Sequence, residues 1–137
     1  MSDSSNILTS TVQEPSNTAP ILNAETLASI RTMAGANAAE FLADIVTDFV
    51  MDAPKDIATI LQAIANGDAK SLSHSAHRLR SGSASLGADR LAELCQTLEM
   101  QGRAGSVPPL ADCQGHIQNT YEAAKRALLS VTAVEES

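Results

Sequence analysis

The chain has 137 residues, 44% of them hydrophobic but only 2% aromatic, and a formal net charge of −7. That length holds one domain with a single core, and the acidic balance argues against general nucleic-acid or anionic-membrane binding, which calls for a basic footprint. Ala, Leu, Ile and Val carry the apolar content, with Phe41, Phe49 and Tyr121 as the aromatics and no Trp, a balance that favours helix over sheet.

Residues 1–20 are rich in Ser, Thr, Asn and Pro and hold no sustained apolar period; they are expected to form a disordered tail or linker. No basic stretch followed by an apolar one marks a signal peptide, and no apolar run approaches a membrane span. A cytoplasmic domain that does not insert into the membrane is expected, although a parent protein could be membrane-bound. The folded domain is placed at 21–132, with 133–137 as a second disordered tail.

A short helix should start after Asn23, a suitable N-cap, run through Leu27 and Ile30, and stop near Gly35. The next has Leu42, Ile45, Val46, Phe49, Ala53, Ile57, Ile60, Leu61 and Ile64 in steps of three and four that keep phase through Pro54. One long helix bent at the proline is therefore predicted over 38–65. Glu40, Asp44, Asp48, Asp52 and Asp56 recur along it and read as a solvated acidic face rather than a metal ladder. Asn66-Gly67 closes it and Asp68 caps a third helix with the stripe Leu72, Ala76, Leu79, Ser83 and Leu86. A fourth follows over 88–101, with Leu91, Leu94, Cys95 and Leu98 inward and Gly102 as terminator. The last opens at Pro108-Pro109 and turns Leu110, Cys113, Ile117, Tyr121, Ala124, Leu128 and Val131 inward. The fold class is all-α: an antiparallel four-helix bundle, with the short N-terminal helix packed across one end. Cys95 and Cys113 are too far apart for a patterned metal site or disulfide scaffold and read as buried, reduced thiols.

Chemistry enters on the third helix. His77 follows the stripe residue Ala76 and so lies about 100° off the core. Ser73, His74, Arg80 and Ser81 are its neighbours one turn away, and Ala84 lies two turns on. The small side chains Ser73, Ser81 and Ala84 would let another protein's site come close. Arg80 sets a permanent cation beside the ring, which favours a neutral, nucleophilic imidazole and can pair with phosphoryl oxygens. The segment 70–103 holds five basic and three acidic residues, a locally positive stretch in an acidic chain. His74 with His77 lacks a third metal ligand, and His116 reads as structural or exposed.

The string AHRLRSGSASLGA at 76–88, followed by LAELCQTLE at 91–99, resembles the histidine-containing phosphotransfer (HPt) domains of two-component phosphorelays. The shared pattern is a histidine, an apolar residue two on, a basic residue three on, a small-residue run and a leucine-glycine pair. Here these are His77, Leu79, Arg80, the run from Ser81 to Ser85, and Leu86-Gly87. The likeness extends through FLADIVTDFVMDAP and AIANGDAK and covers about residues 22–130. Two departures are Arg80 where Lys is usual, and Ser81-Gly82 where Gly-Ser is usual.

The resemblance implies that His77 takes a phosphoryl group from an aspartyl phosphate on a receiver domain and passes it to a response regulator. Arg80 would support the phosphate, and Glu99 stands where the family often has an imidazole-orienting residue; the alternative for Glu99 is a solvated place in the helix's last turn. It further implies a monomeric phosphocarrier, without cofactor of its own, Mg2+ being held by the partner receiver. It could be covalently linked to a hybrid sensor kinase. No nucleotide-binding motif is visible, so the chain is not expected to make phosphohistidine from ATP. Two other readings stand beside this one: a phosphotransfer domain of a chemotaxis-type kinase, served by a separate ATP-binding domain, and a helical adaptor without phosphotransfer.

Overall fold

The computed structural model describes residues 20–136; the tail expected over 1–20 lies outside the described residues except for Pro20. Five α-helices and one 3₁₀ turn make up the regular structure of that span: α1 (Ala24–Ala34), the turn Gly35–Asn37, α2 (Ala38–Ala65), α3 (Ala69–Ser85), α4 (Asp89–Arg103) and α5 (Leu110–Glu136). Helix α2 packs on α3, α3 on α4, α4 on α5 and α5 back on α2, which closes a four-helix bundle, while α1 rests on α2. The core runs along all of them: Leu42, Val46 and Ile60 of α2, Leu72 and Leu79 of α3, Leu91 and Cys95 of α4, and Ile117 and Leu128 of α5.

The helix ends follow from local chemistry. Asn23 Oδ1 accepts from the backbone N–H groups of Glu25 and Thr26, and its Nδ2 donates to Asp89 at 2.8 Å, which ties α1 to the start of α4. Asp68 accepts from the Ser71 N–H at 3.1 Å and starts α3. At Gly87, between α3 and α4, the backbone takes φ +77° beside Asn23 and Thr26, a conformation that L side chains avoid.

Helix α2 runs unbroken through Pro54. The proline has no N–H to offer the Val50 carbonyl. Tyr121 of α5 supplies the missing donor, its hydroxyl reaching Val50 O at 3.2 Å, and its ring lies 6.1 Å from that of Phe49. A polar tip on a core aromatic thus gives the Val50 carbonyl the donor that Pro54 lacks.

Three sequence expectations change. Gly102 does not terminate α4; it lies inside the helix, and a Cβ there would meet Ala69 O at 2.6 Å and Ser73 N at 2.8 Å on α3. Its function is close approach, and the turn after α4 uses Gly105, with φ +88°. Helix α5 extends to Glu136, four residues past the domain end expected at 132. Asp56 leaves the solvated acidic face: it is half-buried and accepts from Arg78 Nε at 3.0 Å, bridging α2 and α3.

Candidate functional site

Helix α3 buries Leu72, Ser75, Ala76, Leu79 and Ser83. The Ser83 hydroxyl is satisfied by the Leu79 carbonyl at 2.7 Å, so a polar side chain is tolerated in the stripe. One position past Ala76, His77 emerges with its side chain 56% exposed. On the facing helix, Glu99 follows the core residue Leu98 and is itself buried, its side chain 3% exposed. The alternative of a solvated Glu99 is thereby removed. The contact between the two helices is close because Gly102, three residues beyond Glu99, offers no side chain at the crossing.

Glu99 gathers the site. Its Oε2 lies 3.0 Å from His77 Nδ1 and accepts from Arg103 Nη2 at 2.7 Å, while its Oε1 accepts from Arg80 Nε at 2.7 Å. Burial opposes ionisation of this carboxyl, but hydrogen bonds from Arg80 and His77 and the charges of Arg80 and Arg103 outweigh it and hold Glu99 below the usual carboxylate range. An ionised carboxylate only accepts. The proton in the 3.0 Å contact therefore sits on His77 Nδ1, and in the neutral ring Nε2 carries the free lone pair. Arg80 Nη2 also lies 3.2 Å from Nδ1; both are donors in this tautomer, so that contact is proximity and not a second hydrogen bond.

The sequence placed Arg80 beside the imidazole as a cation for phosphate. The structure holds it against Glu99, with 34% of its side chain exposed. Ser81 and Ala84 are exposed along the same helix, and Ser73, half-buried, lines an open depression with His74, His77, Arg78, Glu99 and Arg103. Arg103 was missed as a site residue, although its place four residues after Glu99 is the ordinary spacing of a helical ion pair. His74 and His116 are both exposed, and no cluster of metal-ligating side chains occurs among the described residues. Both thiols are buried, and burial pushes that of Cys95 up to about 12, which leaves it unreactive. None of the helices described is long and apolar enough to cross a membrane.

Comparison with known proteins bears on the same region. Histidine-containing phosphotransfer protein B from Pseudomonas aeruginosa has a similar solved structure, with a TM-score of 0.73 at 24% identity over 85% of this chain and 97% of that one. At that identity the likeness speaks for the fold. No curated protein sequence matches the chain. The model of the Hpt domain family matches residues 44–127, a span that holds α3 and α4 whole and with them His77, Arg80, Glu99 and Arg103. A match over more than half the chain, on a four-helix bundle with an exposed histidine, shows that the chain belongs to the Hpt domain family.

Proposed function

We propose that His77 is the phosphoacceptor of a phosphorelay, taking a phosphoryl group from a receiver-domain aspartyl phosphate and giving it to the receiver of a response regulator. The observation that carries this reading is the exposed ring of His77 with its Nδ1 turned to the buried carboxylate of Glu99 at 3.0 Å. That contact directs the Nε2 lone pair to an incoming phosphorus. In the forward step a P–N bond forms at Nε2 as the P–O bond to the donor aspartate breaks, and the donor leaves as a carboxylate.

No proton has to move. The ring keeps its Nδ1 proton, the product ring is cationic, and Glu99 lies against that charge. In the second step the acceptor aspartate attacks the phosphorus and the neutral imidazole leaves. Arg80 offsets the negative charge that the phosphoryl group brings. The receiver supplies Mg2+, and the domain needs no cofactor of its own. A tight socket is unnecessary, because a carrier must open its histidine to two partners in turn.

The test is phosphoryl transfer from a 32P-labelled receiver domain to the wild-type chain and to His77→Gln. Wild-type protein should take the label in an acid-labile, base-stable form. The Gln variant should take none while keeping its melting temperature, because the side chain lies outside the core. Equal labelling of both proteins, or an acid-stable adduct, would reject His77 as the acceptor.

A further inference from the structure

We infer that Arg103 is a positioning residue: by holding Oε2 of Glu99 it fixes His77 in the Nδ1–H tautomer, and so keeps Nε2 bare for attack. The inference rests on the phosphotransfer reading of His77 and assigns a role within it.

Glu99 is gripped at both ends, by Arg80 on Oε1 and by Arg103 on Oε2, each at 2.7 Å. The terminal torsion of a glutamate is soft. A carboxylate held at one oxygen can swing, whereas one held at both has its plane set. The oxygen that Arg103 holds is the same one that faces His77 Nδ1. Burial also favours a protonated Glu99, and two guanidinium groups oppose this. A protonated Glu99 could donate to Nδ1 and reverse the tautomer.

A competing arrangement is already within reach. Arg80 Nη2, 3.2 Å from Nδ1, could donate to it if the ring turned to its Nε2–H form. In that form the outward nitrogen carries a proton and has no lone pair for phosphorus. Arg80 can therefore serve either tautomer, and Arg103 serves one. No other arginine hydrogen-bonds to Glu99 among the described residues: Arg78, which lines the same depression, has its Nε paired with Asp56 of α2 instead.

The experiment combines two readouts on wild type, Arg103→Met, Arg103→Lys, Glu99→Gln and the double variant Glu99→Gln with Arg103→Met. One readout is the imidazole 15N spectrum of His77 under conditions where the ring is neutral, which reports the tautomer without any reaction. The other is the rate at which phosphoramidate, a small donor that needs no protein docking, labels His77. Arg103→Met should move the tautomer population toward Nε2–H and slow labelling about tenfold, the scale of one charge-assisted hydrogen bond. Arg103→Lys should recover most of both. In the Glu99→Gln background the loss of Arg103 should have no further effect on either.

An unchanged tautomer and phosphoramidate rate in Arg103→Met would overturn the inference. If transfer from a receiver alone fell, Arg103 would be a docking contact instead. A full further loss in the Glu99→Gln background would also overturn it, since Arg103 would then act without Glu99. Should wild-type His77 take no label at all, the phosphotransfer reading fails by itself, and the 15N spectrum still decides whether Arg103 sets the tautomer.

Discussion

At the scale of single residues, Glu99 is the group on which the site turns, and its ionisation gives a test in acid. Its folded pKa lies below the ordinary value of 4.5, so its contribution to stability is fully present above that value and is lost as pH falls through the lower folded one. The stability of wild type relative to Glu99→Gln should therefore shrink as pH drops below about 4.5, as read by urea midpoints across that range; a difference independent of pH would mean that Glu99 folds unionised. Arg80 carries a second prediction. Because it holds Glu99 while lying beside the ring, Arg80→Ala should slow transfer roughly tenfold to a hundredfold, the range for one charge-assisted hydrogen bond of about 1.5–3 kcal/mol. A rate unchanged within error would make it a bystander. How legible these residues were depends on where they lie in the chain. His77 and Arg80 share one helix, and spacing alone brings them together. Glu99 stands on another helix, and only the family resemblance pointed to it; nothing in its own surroundings separates a buried carboxylate from a solvated one. Arg103 was visible as a partner four residues from Glu99, but a pair of that kind gains meaning only when its carboxylate is known to face a histidine.

At the scale of elements, hydrophobic period and capping residues were enough to place every helix of the bundle, including the uninterrupted α2, because a stripe that keeps phase through Pro54 buries the same face on both sides of it. The sequence could not say what compensates the proline, since the donor, Tyr121, lies 71 residues away. Tyr121→Phe should cost about 1–2 kcal/mol by leaving the Val50 carbonyl without that donor, while leaving labelling of His77 unaltered; no loss in a denaturant midpoint would show the hydrogen bond to be dispensable. Glycine was the residue type most easily misread. A Gly near a predicted helix end looks like a terminator, yet Gly102 serves the α3–α4 crossing, and its nearest would-be contacts are backbone atoms. Backbone cannot turn aside as a flexible side chain can, so Gly102→Ala should push the helices apart at a cost of about 1–3 kcal/mol and loosen the Glu99 contact with His77. Gly115, in α5, makes the contrast, because a Cβ there would meet nothing within 4 Å: Gly115→Ala should stabilise by about 0.5–1 kcal/mol. If both alanines acted alike, helix propensity and not close approach would explain Gly102.

At the scale of the whole molecule, the arrangement of the helices decides what another protein can reach. The bundle keeps the cluster of His77, Arg80, Glu99 and Arg103 at the edge of one pair of helices, α3 and α4, so His77 lies on an open flank instead of inside a cleft. On the proposed function, transfer requires an aspartate of a partner to come within bonding distance of the His77 nitrogen through a single phosphorus atom, and the two backbones must then approach closely. Ala84 lies seven residues beyond His77, about 20° off the same face, and is exposed. Replacing it with Leu leaves the fold intact, because the position is outside the core and Leu is a good helix former. The added bulk falls where the partner would land, and steric misfit of about 1–3 kcal/mol corresponds to a loss of roughly tenfold to a hundredfold in receiver-to-His77 transfer. Circular dichroism and melting temperature should remain at wild-type values. Phosphoramidate should still label His77 at the wild-type rate, because a small donor does not cover Ala84. Loss with both donors would place the defect at the histidine itself, and loss with neither would show that the receiver approaches over a different face of α3.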